Sequence, residues 1–140
     1  MNQHLEQLKD LTARLAPSLG DISEPVGTVR VYLTEQGHMV GVGLYYGKDV
    51  AVARIMATAG TVLPCHRHAT QYEWLGVITG SCTVVLLDDA GAETSRTDLK
   101  PGEAVRLAPG QAHKCIYQED TVLWALSMPP AEGFPPPGCP

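Results

Sequence analysis

Three residues within a short stretch of the chain carry side chains that commonly bind metal ions. His66 and His68 lie two positions apart, so on an extended strand both imidazoles point to the same face, roughly 7 Å apart along the chain. Glu73 follows five positions after His68, which is the wrong parity for one uninterrupted strand. The spacing therefore predicts a bend at residues 69–70, after which Glu73 returns to the same place from the next strand.

A further histidine, His113, follows a Pro109-Gly110 turn and is predicted to reach the cluster from a third strand. Three imidazoles and one carboxylate form a nitrogen and oxygen ligand set that suits a divalent transition metal of borderline softness. A six-coordinate metal held by these four residues would keep two positions open for a substrate, a water or dioxygen. A closed four-coordinate zinc site would instead be structural. The residues alone leave both arrangements open.

The spacing of these residues resembles the two sequence motifs of the cupin family. The first motif, G-x5-HxH-x4-E-x6-G, is matched at every position from Gly60 to Gly80. The second, G-x5-P-x-G-x2-H-x3-N, is similar to the stretch that begins at Gly102, except that Ala108 replaces the first proline and Tyr117 replaces the asparagine. The resemblance implies an all-β fold, a double-stranded β-helix or jelly-roll barrel. It also implies four metal ligands: His66, His68, Glu73 and His113.

The sequence on both sides of the motifs has the texture of short β-strands. From position 27 onward, runs rich in β-branched and aromatic residues alternate with turn signals such as EQG, GKD and DDAGAE. About ten such strands at regular spacing are typical of a sandwich or barrel. We therefore predict a cupin barrel over residues 21–128, followed by a proline-rich tail over 129–140.

The first 20 residues have a different pattern. Leu5, Leu8, Leu11 and Leu15 share one face at helical spacing, and Pro17 ends the pattern. This predicts a short N-terminal α-helix with a connector over residues 1–20.

One outward face of the predicted barrel is unusually apolar. If Glu73 faces the interior, the two-residue period of a strand places Tyr72, Trp74 and Ile78 on the outside. Such a patch is expected to be covered, either by the leucine face of the N-terminal helix or by a second subunit. We predict a homodimer.

Four further residues are candidates for the pocket around the metal. Cys115 and Tyr117 share the face of the histidine in the second motif; a buried cysteine is usually a small hydrophobic residue, and a tyrosine beside a metal is usually a hydrogen-bond partner. Gln71 shares the face of the glutamate ligand and could either reach a bound molecule or be an ordinary residue at a strand edge. Arg54 lies inside a strand pattern, where it either faces solvent or, if it points inward, anchors a carboxylate.

Composition and charge exclude several classes of partner. The formal net charge is −5 and no basic run occurs, which disfavours nucleic-acid binding. No apolar run approaches the roughly 20 residues of a membrane span. The start of the sequence, MNQHLEQLKD, lacks the features of a secretory signal, so we expect a cytoplasmic protein. Its four cysteines lack CxxC spacing and are expected to be reduced thiols.

Two classes of function fit these features. The first is a metal-dependent enzyme that acts on a small oxygenated metabolite, with a dioxygenase-type reaction if the metal is Fe(II). An isomerase or lyase reaction is expected if the metal is Mn(II), Ni(II) or Zn(II). The alternative is a non-catalytic module that senses a metal or a metabolite, as in the metal-binding domain of certain anti-sigma factors.

Overall fold

Ten β-strands make up the part of the chain that the computed structural model describes, which is residues 29–33, 37–129 and 139. In chain order they are β1 Val29–Leu33, β2 His38–Tyr46, β3 Ala51–Ala57, β4 Val62–His66, β5 Tyr72–Thr79, β6 Cys82–Leu87, β7 Glu93–Leu99, β8 Ala104–Leu107, β9 Ala112–Ile116 and β10 Thr121–Met128. These residues contain no helix. The predicted N-terminal helix and most of the proline-rich tail lie outside the described residues.

The strands form two antiparallel sheets. One has six strands in the order β1-β2-β3-β10-β5-β8, and the other has four in the order β4-β9-β6-β7. Sequential neighbours such as β4 and β5 fall in different sheets, so the chain crosses from one layer to the other. The all-β, double-stranded β-helix fold that the motifs implied is confirmed.

The core lies between the sheets and follows the two-residue period of the strands. Along β10 the buried side chains alternate with half-buried ones, and Leu123 is fully buried. On β5, Leu75 and Val77 face inward while Tyr72 and Ile78 are exposed. The predicted orientation of β5 is therefore confirmed. The inward side chains form one cluster, with Met39, Ala57, Leu75, Val77, Cys82, Val84, Leu99, Leu107, Cys115, Tyr117, Leu123 and Ala125 as members.

The glycines of the two motifs are explained by the backbone. Gly60, Gly80, Gly102 and Gly110 all have positive φ, with values of 84°, 83°, 88° and 77°. Residues other than glycine rarely adopt this conformation because their Cβ atom clashes with the backbone. At Gly80 a Cβ atom would also collide with the Asp120 carbonyl oxygen. These positions end strands at fixed points, which sets the spacing of the histidines.

The third strand, which was expected to carry His113, is β9, Ala112–Ile116. In its register His113 pairs with His66 on one side and with Leu86 on the other. The ladder therefore begins immediately after the turn at residues 109–110.

The outward face of β5 carries aromatic and cationic side chains. The rings of Tyr72 and Trp74 lie with their centroids 6.0 Å apart, and the Arg106 guanidinium lies 5.5 Å from the centroid of Tyr72. This arrangement fits a cation–π contact. The homodimer expected from this face stays a prediction.

The expectation of four reduced cysteines was wrong for one pair. Cys65 and Cys139 form a disulfide, with their Cα atoms 5.4 Å apart, whereas Cys82 and Cys115 are buried free thiols. The two partners are 74 positions apart in sequence, so the pattern of cysteine spacing gave no sign of their proximity.

Shortening a side chain on the inward face of β10 should lower the free energy of unfolding more than shortening one on the outward face. Leu123→Ala should lower the free energy of unfolding by roughly 2–5 kcal/mol, because it leaves a cavity in the core. Leu126→Ala, on the half-buried opposite face of the same strand, should cost less than half as much. Urea unfolding of both variants measures the difference, and equal losses would contradict the assignment of the faces.

Candidate metal centre

The four predicted ligands come from both sheets and meet at one end of the barrel. His66 ends β4, His68 lies two residues beyond it, and the chain bends at residues 69–70 before β5 begins. The predicted bend is confirmed. Glu73 is the second residue of β5 and His113 the second residue of β9. Since His66 and His113 pair directly across the two strands, their rings lie side by side.

The three histidines are close enough to share one metal ion. One ring nitrogen from each of them lies within 4.8 Å of the others. The ring centroids of His66 and His113 are 4.2 Å apart, and His68 lies 5.3 Å and 5.6 Å from them. Nitrogens that share a metal at about 2.1 Å, with angles between about 90° and 109°, lie roughly 3.0–3.4 Å apart. The three rings would therefore have to move closer by up to roughly 1.5 Å to complete a site.

The Glu73 carboxylate lies against this cluster. Its Oε2 is 3.1 Å from His68 Nε2, and its Oε1 is 3.9 Å from His113 Nε2. The Nε2 atoms of both histidines are buried and lack an aligned hydrogen-bond partner. Buried polar atoms in native proteins are normally satisfied. The donor set and the unpartnered Nε2 of His113 therefore fit a divalent metal ion.

Two of the imidazoles are oriented by the same local contact. His66 Nδ1 lies 2.9 Å from the Pro64 carbonyl oxygen, and His113 Nδ1 lies 2.9 Å from the Gln111 carbonyl oxygen. In each case the acceptor is two residues earlier in the chain. Donation from Nδ1 leaves the lone pair on Nε2, which is how metal-binding histidines are usually fixed.

The turn before β9 is fastened to the neighbouring strands. The Gly110 N–H donates to the His68 carbonyl at 2.7 Å. The Gln111 side-chain amide donates to the Leu87 carbonyl at 3.2 Å. The first contact ties the segment that carries His68 to the turn that precedes His113, and the second ties the same turn to the end of β6.

Burial sets the protonation states at the cluster. It lowers the pKa of His66 to about 4, and repulsion from His113 adds to this effect. Burial likewise lowers the pKa of His113, against the opposing hydrogen bond to the Gln111 carbonyl. Burial alone would raise the pKa of Glu73, but contact with His68 and the nearby imidazoles lower it below its usual value. Near neutral pH, His66 and His113 are therefore neutral and Glu73 is ionised, as metal ligands must be.

Three of the four pocket candidates are buried. Gln71 is 5% exposed, and neither its amide oxygen nor its amide nitrogen has a hydrogen-bond partner. Cys115 and Tyr117 are each 1% exposed and belong to the core cluster. A hydrogen bond with Cys82, together with burial, raises the pKa of the Cys115 thiol. Cys115 thus has the surroundings of a core thiol rather than those of a reactive one.

The fourth candidate, Arg54, is placed away from the histidines. It pairs with Trp124 across β3 and β10, whereas the adjacent residue on β10, Leu123, faces the core. Trp124 packs over Gly76 on the outer face of the same sheet. Arg54 therefore lies on that outer face and is not part of the cluster.

Three features of the centre were missed from the sequence. The backbone carbonyls that orient His66 and His113 could not be predicted, because every residue type has a carbonyl. Gln111 resembles any polar residue of a turn, although its side chain and its carbonyl both contribute to the site. The disulfide is the third omission, since it places Cys139 beside the residue that precedes His66.

Two antiparallel sheets with a histidine cluster at one end define a double-stranded β-helix barrel with a candidate metal site. The family model for the Cupin domain matches residues 54–129, which is more than half of the 140-residue chain. The chain belongs to the cupin family.

Solved structures of similar fold agree with this assignment. KdgF from Halomonas sp. superposes with a TM-score of 0.61 at 20% identity, over 74% of this chain and 88% of that chain. A Klebsiella pneumoniae protein with a double-stranded β-helix domain has a TM-score of 0.60 at 18% identity, over 82% and 84% of the two chains. A variant of oxalate decarboxylase from Bacillus subtilis has a TM-score of 0.60 at 19% identity, over 76% of this chain but 29% of the longer one.

No curated protein sequence matched this chain. Among the residues that the structure describes, no helix has the length and apolar character needed to cross a membrane.

The lowered pKa of His66 predicts that the metal-free protein loses stability as the pH falls. The unfolded chain takes up a proton at this histidine near its ordinary pKa of 6.5, but the folded protein does so only near 4. Stability therefore rises with pH in this window, and the His66 contribution between about pH 5 and about pH 7 is about 2 kcal/mol.

Urea unfolding after removal of metal by a chelator measures this dependence. The matched variant His66→Gln lacks the titrating group and should show a shallower dependence on pH. Identical slopes for the two proteins would contradict the lowered pKa.

Proposed function

We propose that this cupin is a metal-dependent enzyme that acts on a small oxygenated metabolite. The observation that carries the proposal is the convergence of two buried imidazoles, one half-buried imidazole and the Glu73 carboxylate, with the buried Nε2 of His113 left without a hydrogen-bond partner. His66, His68, Glu73 and His113 would hold one divalent transition metal. When bound, such an ion supplies Lewis-acid activation of a substrate oxygen or, if redox-active, electron transfer with dioxygen.

The protein's own residues would prepare this site in three ways. The carbonyls of Pro64 and Gln111 hold two imidazoles in the orientation that a metal needs. The ionised Glu73 supplies one negative charge, which would offset one of the two positive charges of the metal ion. The barrel wall covers one side of the Glu73 carboxylate, because Leu107 pairs with Glu73 on the same inward face and is 2% exposed.

Gln71 is the polar group best suited to bind a substrate. Gln71 lies two positions before Glu73 and is buried. Its side chain is therefore on the same inward side, immediately before β5 begins. Leaving a buried amide without partners costs free energy, and a bound oxygenated molecule would satisfy both its donor and its acceptor. We propose that Gln71 orients the substrate through one of its oxygens.

The structural neighbours make manganese the first metal to test. One of them is the oxalate decarboxylase of Bacillus subtilis, described with Mn(II) centres. Its name gives a small dicarboxylate as substrate. By analogy we propose a small carboxylate or keto acid for this chain, and a lyase or isomerase reaction with Mn(II), Ni(II) or Zn(II). With Fe(II) the corresponding proposal is a dioxygenase-type reaction.

A sensing role is the second candidate function. It is favoured by the apolar inward residues on the strand of Glu73 and on the strand paired with it, Leu75, Val77 and Leu107. With Arg54 on the outer face, Gln71 and Tyr117 are the polar pocket candidates left on the inward side. Turnover of any small carboxylate by the metal-loaded protein would decide in favour of the enzyme.

The ligand assignment predicts the loss of metal from single variants. Untagged wild-type protein should bind one equivalent of Mn(II) or Fe(II), measured by elemental analysis after gel filtration. His113→Ala should reduce retention at least tenfold, because it removes a ligand from the centre of the cluster. The control Lys114→Ala changes the next residue of β9 and should keep full occupancy.

Retention of one equivalent of metal by both His66→Ala and His113→Ala would refute the site. The same loaded proteins serve for activity assays with a panel of small carboxylates, and for oxygen uptake with the iron form. Gln71→Ala should raise KM without removing the metal. A variant with unchanged kinetics would refute the role of Gln71.

A further inference from the structure

The disulfide between Cys65 and Cys139 lies next to a proposed metal ligand. Cys65 is followed directly by His66 on β4, and Cys139 belongs to the last residues of the chain. Both residues are partly exposed, so a thiol from solution can reach them. A covalent bond that can be broken by reduction is therefore attached to the strand that carries His66.

The disulfide joins β4 at the part of the strand where pairing with its sheet is interrupted. Within the described residues, β4 lies at the edge of its sheet and pairs with β9 alone. That pairing is interrupted between Leu63 and His66, so the two residues between them, Pro64 and Cys65, fall in an irregularity of the ladder. A bulge at a sheet edge leaves backbone groups without ladder partners and lets the strand move.

Cys139 contacts β4 on the side away from β9. Its backbone N–H donates to the Cys65 carbonyl at 3.1 Å, in addition to the disulfide. Among the described residues, Cys139 thus holds the irregular stretch by one covalent bond and one hydrogen bond. The Pro64 carbonyl, which orients the His66 ring through Nδ1, lies within that same stretch.

We propose that the Cys65–Cys139 disulfide is a redox-sensitive control on the metal site. The inference rests on the proposed metal-binding function and adds a means of regulating it. In the oxidised form the end of the chain fixes residues 64–66 and keeps His66 aligned with His113. In the reduced form the edge strand loses this support, and His66 binds metal more weakly.

The chemistry of the switch is thiol–disulfide exchange with a dithiol as reductant. One thiolate of the dithiol attacks a sulfur of the disulfide, and its second thiol resolves the mixed disulfide. The Cys65–Cys139 bond breaks, two cysteine thiols form, and the dithiol leaves as its own disulfide. Two electrons and two protons pass to the protein.

The experiment is a titration with Mn(II), in which the free ion is followed by its electron paramagnetic resonance signal. Three samples are compared: the oxidised wild type, the wild type reduced with a phosphine, and the variant Cys139→Ser. Mass spectrometry after thiol alkylation verifies the state of the disulfide in each sample. The variant removes the cross-link without changing any residue of β4.

We expect the reduced wild type and Cys139→Ser to bind Mn(II) about 10-fold more weakly than the oxidised wild type, as for loss of groups that support a metal ligand. The phosphine should have no further effect on Cys139→Ser. A second control, Cys82→Ala, keeps the disulfide and removes one of the two buried thiols. It should still respond to the phosphine.

Each other outcome overturns the inference in a recognisable way. Equal Mn(II) affinity in all samples leaves the metal site standing and removes the control by the disulfide. A reduced form that is unfolded by circular dichroism shows that the bond serves global stability instead. If the oxidised wild type binds no Mn(II), Fe(II), Ni(II) or Zn(II), the proposed function fails and the inference fails with it.

Discussion

The pairing of β4 with β9 is the constraint on which the candidate centre depends. It sets His66 directly opposite His113, so two imidazoles from distant parts of the sequence lie side by side. Because β4 ends at His66, the chain bends after it. The bend places His68, and then Glu73 from the other sheet, beside the first two imidazoles. A shift of one residue in this register would turn the His113 side chain to the opposite face.

The electrostatics of the centre follow from the same packing. Bringing imidazoles together inside the barrel penalises their charged forms, since burial and mutual repulsion act in the same direction. The lowered pKa of His66 and of His113 shows this effect. One buried carboxylate remains ionised beside them. The result is a pair of neutral imidazoles, His66 and His113, beside a single negative charge.

At the edge of the smaller sheet, β4 is supported by a contact that does not belong to the strand ladders. β4 has β9 on one side and the Cys139 backbone on the other. This support comes from a residue 74 positions away in the sequence. The proposed switch is thus a consequence of topology, because an edge strand carries the ligand at an interrupted part of its ladder.

The sequence by itself determined the motif residues, most of the strands and the inward face of β5. Positive-φ glycines and the HxH spacing are local properties, so they can be read without knowing which strands pair. Three other features depend on the folded chain: the outer placement of Arg54, the register of β9 against β4, and the bond between Cys65 and Cys139. Each of these depends on contacts between segments far apart in the chain, and no local pattern of residue types records such contacts.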